Sequence, residues 1–186
     1  LLGEALSNGE DVEATERGVV AYGITRAAEM LSERYHLVTT NVPYLGREDF
    51  DSVLLNFADG HEVASNELAN LFLVRCAEMA LGEGGAALVS PQAWTYQPLY
   101  SNFREKIIGR YGWRLVAKLG AGAFDRISGE VVKPSLGFYS RDNSLSEFFG
   151  IDVGERKGAK RKAQGLKSKE VYMTDRRSQS QNPDST

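Results

Sequence analysis

The stretch ANLFLVRCAEMALGEGGAALVS, residues 69–90, decides the architecture. Leu71, Phe72, Cys76, Met79 and Ala80, with Leu68 just ahead, recur at three- and four-residue steps. That spacing predicts a helix from about Glu67 to Leu81 with one apolar face. Ser65 or Asn66 is placed to cap its first turn. GEGG, residues 82–85, predicts the helix end, because glycine accepts the left-handed backbone that closes a helix. AALVS then reads as a buried strand that Pro91 stops. A helix, a glycine turn and an apolar strand in that order imply parallel strands joined by crossover helices.

Upstream, YHLVTT (residues 35–40) is short and β-branched, as expected of another buried strand. Before it, Val20, Ile24, Ala27, Ala28 and Leu31 predict an amphipathic helix within residues 12–35, although Gly18 and Gly23 weaken it. Residues 46–66 are polar and read as loop with a short helix near Val53 to Phe57. Downstream, Leu99, Phe103, Ile107 and Ile108 share a helical phase, and WRLVAKL (113–119) reads as a strand. GAGAFDRISGE (120–130) is a loop leading to VVKPSLGFYS (131–140). No helix separates these last two strands, so they are expected to pair antiparallel, with Pro134 at a bulge or unpaired site. After Arg141 the apolar pattern fades. The chain therefore reads as an N-terminal helical segment (1–35), an α/β domain (36–141) and a basic, flexible extension (142–186).

The overall charge of -3 hides an asymmetry. Residues 151–186 hold nine Lys/Arg and five Asp/Glu, a net +4, which leaves -7 for the first 150. The basic run, including Lys160, Arg161 and Lys162, is suited to tracking a phosphate backbone, and equally to a solvated tail. The single cysteine, Cys76, excludes an internal disulfide and sits at a core position. His36 and His61 lie far apart, so no metal site is expected. No apolar run approaches the roughly 18 to 20 residues of a membrane span, and a cytoplasmic setting is expected. The chain opens LLGEALSNGE, without Met, and reads as a piece of something longer.

TTNVPY (39–44) raises the functional question. Asn41 to Tyr44 follow a strand end, where open α/β sheets usually bind ligands. An exocyclic amine of a base has two hydrogens and a lone pair delocalised into the ring. The Asn41 side-chain oxygen and the Val42 carbonyl could accept both hydrogens and stabilise the positive charge that develops on alkylation. Pro43 would fix the carbonyl's direction, and Tyr44 would stack on the base. Taken alone, the same four residues are also an ordinary turn. Gln92 and Trp94 also sit at a strand end, where packing is the simpler reading.

In RYHLVTTNVPYLG, ANLFLVRCAEMALGEGGAALVSPQAW, LVAKLGAGAFDRISGEVV and FFGIDV, the chain resembles the adenine-N6 DNA methyltransferases. More specifically, it is similar to the large methyltransferases of BREX and phage-growth-limitation defence. The resemblance spans most of residues 15–153. It implies the C-terminal half of a Rossmann-like class I methyltransferase sheet, with parallel strands and an antiparallel last strand. It implies transfer of methyl from S-adenosylmethionine to a flipped adenine in double-stranded DNA, in phage defence or restriction-modification. Other defence-system proteins are possible partners. Asn41 and the Val42 carbonyl would bind the target amine, Tyr44 would stack on the base, and Pro43 would lie beside the donor. Phe124 would face the base from the other side.

Two departures from that pattern stand out. Val42 replaces the usual first proline, and the glycine-rich donor loop with its acidic partners is not visible. GAGAF and GEGG do not open a helix after a strand, so neither qualifies as that loop. The isolated segment is therefore expected to be inactive, with an unpaired edge on its first strand. Two alternatives remain at this point: a protein-glutamine N5 methyltransferase, and a non-catalytic DNA-binding or scaffold remnant.

Overall fold

The computed structural model describes residues 12–61, 64–124, 133–144, 147–168 and 171–175. The chain divides into two units after Arg34. The first contains helix α1 (Val12–Ser32). Its apolar residues, Val19, Val20, Tyr22, Ile24, Met30 and Leu31, are all exposed. The expected helix is present, and Val20, Ile24 and Leu31 fall on one side of it, within about 40° of one another, as an exposed stripe.

The second unit is a six-stranded sheet. Its strands are β1 (Tyr35–Asn41), β2 (Ala80–Pro91), β3 (Gly112–Lys118), β4 (Pro134–Ser140), β5 (Glu147–Asp152) and β6 (Tyr172–Asp175), in spatial order β1-β2-β4-β3-β5-β6. Helix α2 (Ser52–Asp59) and helix α3 (Leu68–Met79) lie between β1 and β2 in the chain; α4 (Ser101–Arg110) joins β2 to β3, and α5 (Ala159–Lys167) lies between β5 and β6. β1 and β2 are parallel, as are β3 and β5; β4 runs antiparallel between β2 and β3. The expected antiparallel pairing of the last two strands therefore holds, and β4 fills the gap that the β2–α4–β3 crossover leaves. Among the described residues, β1 is an edge strand.

Three expectations need correction. GEGG does not close the helix: α3 ends at Met79, Ala80 is already extended, and β2 runs straight through the glycines. Close approach explains two of the three glycines instead. A Cβ on Gly84 would lie 2.7 Å from the His36 carbonyl oxygen, and one on Gly85 would lie 2.5 Å from the Phe138 ring. Neither Ser65 nor Asn66 caps α3; Glu67 occupies that position without a side-chain cap, and the Asn66 amide donates to the Leu99 carbonyl. Residues 142–186 are not simply a flexible extension, because β5 pairs in parallel with β3 and β6 pairs with β5. The strand residues Phe148, Phe149 and Ile151 lie just ahead of a basic run whose composition masks them.

The core lies on one face of the sheet. Ala86, Leu88, Trp113, Tyr139 and Phe148 are buried there with Leu73, Cys76 and Ala77 of α3 and Phe103, Ile107 and Ile108 of α4. Trp94, fully buried, stands edge-on to Phe103 and Trp113 with ring centres 5.6 and 5.4 Å apart. Each such pair contributes about 0.5–1.5 kcal/mol beyond burial. Trp94 is thus a core residue, as packing suggested. Burial pushes the Cys76 thiol up, the state of an inert core cysteine. On the opposite face, Leu37, Phe149 and Met173 are exposed. No described helix is long and apolar enough to cross a membrane.

Candidate functional site

Register brings the strand exits to one edge. Asn41 pairs with Val89, Val89 with Leu136, Leu136 with Ala117, and Ala117 with Ile151. The segments that follow β1, β2, β3 and β5 therefore leave from the same side of the sheet.

Asn41 is the last residue of β1 and is exposed. Val42 as a whole residue is 3% exposed, and its N–H donates to the Val89 carbonyl at 3.1 Å, one further step of the parallel ladder. A proline at this position could not make that bond. In a parallel ladder the returning donor to the Val42 carbonyl would be the N–H two residues beyond Val89. That residue is Pro91, which has none. The ladder stops there, and among the described residues no hydrogen bond to the Val42 carbonyl or the Asn41 side chain is formed. Two acceptors are left without a hydrogen-bond partner side by side at the strand end, Asn41 exposed and Val42 almost wholly covered. Pro43 beside them is exposed.

Tyr44 is half-buried, and its ring packs against the core. Its hydroxyl is buried without a partner, and burial, reinforced by Glu67, pushes its pKa up to about 12. The phenol therefore stays neutral at physiological pH. The segment after it is strapped to the start of α3: Leu68 N–H donates to the Leu45 carbonyl at 2.9 Å and Arg47 N–H to the Asn66 carbonyl at 3.1 Å, with Gly46 and Glu67 bridged between them. Glu67 is nearly buried and accepts a hydrogen bond from the Tyr100 hydroxyl at 3.3 Å. Burial raises its carboxyl above the ordinary range, Tyr100 pulls it back down, and Glu48 adds to the rise.

The remaining candidate residues fare differently. Phe124 is half-buried at the end of the described loop that leaves β3, on the same edge as Tyr44. Gly120 and Gly122 in that loop have φ of 65° and 69°. Residues 125–130 of the loop, and Val131 and Val132 of the expected strand, lie outside the described residues. Lys160 and Arg161 are exposed on α5. Lys162 is not: it is 2% exposed, and its ammonium donates to three backbone carbonyls. All its donors are spent inside the protein, so its assignment to DNA contact is corrected. A cavity of about 480 Å³ lined by residues including His61, Val74, Phe103 and Tyr111 contains none of the candidate residues. Among the described residues no group of three or more His, Cys, Asp or Glu could hold a metal ion.

Sequence reasoning passed over Pro91 as an acceptor-freeing residue, and Glu67 with Tyr100 as the support behind Tyr44. The first was legible in principle, since a proline that ends one strand also strips a donor from its neighbour. The second was not, because residues 67 and 100 meet only in the fold.

No family model matches the chain. It is 27% identical over 135 residues to the adenine-specific methyltransferase BrxX of Escherichia coli O9:H4 (strain HS), covering 72% of this chain and 11% of that protein. It is 28% identical over 130 residues to the adenine-specific methyltransferase PglX of Lacticaseibacillus casei (strain Zhang), covering 68% and 10%. The chain thus spans about a tenth of the length of these relatives. Among solved structures, it matches the type ISP restriction-modification enzyme LlaGI, a nuclease-deletion mutant in complex with a DNA substrate mimic, with a TM-score of 0.65 at 11% identity over 87% of this chain and 18% of that one. The DrdV–DNA complex matches at 0.63 and 13% identity, over 82% and 18%. A modification subunit of a putative type I restriction enzyme from Vibrio vulnificus YJ016 matches at 0.59 and 16% identity, over 79% and 35%. With parallel strands interrupted by antiparallel β4, the chain shares the fold of part of these restriction-modification structures, and it is similar in sequence to the adenine-specific methyltransferases BrxX and PglX.

Proposed function

We propose that this chain supplies the target-base side of a DNA adenine-N6 methyltransferase acting in phage defence or restriction-modification. The observation that carries this reading is the two unpaired acceptors at the end of β1, beside a half-buried tyrosine. An adenine turned out of the duplex presents two amine hydrogens, one for the Asn41 side-chain oxygen and one for the Val42 carbonyl. Holding both would draw the nitrogen lone pair out of the ring and stabilise the positive charge that grows as the new N–C bond forms and the methyl donor's S–C bond breaks, the extra amine proton then leaving to solvent. Hydrogen bonds to a charged group contribute roughly 1.5–3 kcal/mol each, so together they are worth about two to four decades of rate. Tyr44 offers its ring to the flipped base, which offsets part of the few kcal/mol that flipping costs. The strap between residues 45–47 and 66–68 holds that ring in place.

S-adenosylmethionine is the methyl source this reading requires. The described residues do not fit it as a complete site. Among the described residues, neither the Asn-Val-Pro-Tyr turn after β1 nor the turn after β3 at Gly120 and Gly122 opens directly into an α-helix that could hold a cofactor at its start. Pro43, exposed beside the two acceptors, is the residue here that would touch the donor. The rest of the donor site belongs to segments of a longer protein, and DNA beyond the base is met by exposed cations such as Lys160 and Arg161.

The test is Asn41→Ala in the full-length protein. Methylation of DNA should fall about ten- to a hundredfold while DNA binding is retained. Equal loss of both would reduce Asn41 to a structural turn residue, and methylation of a protein glutamine instead of DNA would change the acceptor.

A further inference from the structure

Within KGAKRKAQGLK (157–167), Lys160 and Arg161 face solvent and Lys162 does not. Its Nζ donates to the carbonyls of Leu119, Gly154 and Val153, at 2.5, 2.8 and 3.1 Å. An ammonium has three donors, and all three are used here, on backbone oxygens alone. The acceptors come from two strand exits: Leu119 follows β3, and Val153 and Gly154 follow β5. Backbone bonds tie the same junction, from Val153 N–H to the Lys118 carbonyl and from Leu119 N–H to the Pro134 carbonyl, both 3.0 Å.

Glycines make the closeness possible. A Cβ on Gly120 would come 2.7 Å from the Gly154 Cα, and one on Gly165 would come 2.8 Å from the Val153 side chain, so α5 seats directly against the turn. Burying a charge costs several kcal/mol unless it is fully compensated, and an apolar side chain would fill the same space without that penalty. What the ammonium does that an apolar side chain does not is gather three carbonyls from two segments at one point. Burial lowers the Lys162 pKa, while Asp152 and Glu155 oppose the fall.

We propose that Lys162 is a positioning residue: its ammonium locks the exits of β3 and β5 together and so fixes the path of residues 119–124. That segment carries Phe124 to the sheet edge on which Asn41 and Tyr44 lie. The lock is independent of the function proposed above; its consequence for base binding rests on that reading.

Two measurements on the 186-residue chain test the lock. With lysine labelled at its side-chain nitrogen, one ammonium resonance should exchange slowly with solvent in the unmodified protein and be absent in Lys162→Arg. In Lys162→Met, amide exchange at residues 120–122 and 153–156 should accelerate about ten- to a hundredfold, the loss of charge-assisted hydrogen bonds, while the centres of β2 and β4 keep their protection. A third measurement, in the full-length protein, separates the lock from DNA contact. Lys162→Met should leave the salt dependence of DNA affinity unchanged, whereas each cation that binds a phosphate lowers the slope by about 0.9 when removed. Methylation should then slow through kcat with DNA affinity retained.

The proposal is overturned by a rapidly exchanging Lys162 ammonium, which decides the matter even if Lys162→Met does not fold. It is equally overturned by unchanged or uniformly raised amide exchange, or by a reduced salt slope. A local loss of protection with no effect on methylation would keep the lock and remove Phe124's segment from the base site.

Discussion

Two strand exits on one sheet edge treat their polar groups in opposite ways. At the end of β1, the Asn41 amide is exposed and the Val42 carbonyl is left without its ladder donor, because Pro91 stands where that donor would be. At the ends of β3 and β5, the carbonyls of Leu119, Val153 and Gly154 are all taken by one buried ammonium. The first exit leaves its acceptors unpaired and the second pairs its own. Satisfaction of polar groups, more than residue type, separates an exit with acceptors to offer from one that only holds the fold. By residue type alone, Lys162 looked like a ligand contact.

The largest effect expected of any single change lies in the core that both exits share. Trp94 fills the core under the turn that follows β2, and Arg104 donates to its carbonyl at 2.9 Å. Trp94→Ala should destabilise the chain by about 3–5 kcal/mol, read from denaturant unfolding. That loss would blur the contrast between the exits by loosening both.

Sharper is Pro91→Ala, which returns an N–H to the position facing the Val42 carbonyl. The extended ladder should leave stability unchanged or slightly higher, while methylation by the full-length protein falls about ten- to a hundredfold, the worth of one acceptor. Unchanged methylation would mean that the Val42 carbonyl takes no part.

The smallest effect concerns Glu67. The fold holds its carboxyl above the ordinary range, so between the ordinary and raised values the folded chain binds more protons than the unfolded one. Its contribution is fully present below the ordinary carboxylate range and is lost as pH rises through that range to the raised value. Glu67→Gln should flatten this decline in a pH series of unfolding curves. The glutamine side chain can still accept from Tyr100, so the strap on Tyr44 should hold. An unaltered pH profile would show that the carboxyl is not held protonated.

Much of this was readable before any coordinates. Alternating apolar periods placed β1, β2, β3, α3 and α4, and the absence of a helix after Lys118 announced the antiparallel β4. The failures have physical causes. Glycine serves both left-handed turns and close backbone approach, so GEGG was read as a helix stop when Gly84 and Gly85 in fact admit the neighbouring strands. β5 and β6 were missed because a short strand gains its stability from partners distant in sequence, here Leu115 to Lys118. At the candidate site, Asn41 to Tyr44 could be singled out because the chemistry proposed for them lies in four consecutive residues. Lys162 was not, since its three partners lie 8 to 43 residues away.

The grip on the amine can be tested by removing it from either side. In the full-length protein, DNA carrying adenine at the target position is compared with DNA carrying purine, which lacks the amino group, for unmodified protein and for Asn41→Ala. If Asn41 accepts from that amine, the two changes are not additive, with a coupling of about 1–3 kcal/mol in binding of the flipped base. Additive losses would mean that Asn41 never touches the amine, and the reading of the β1 exit as a base site would fall with it.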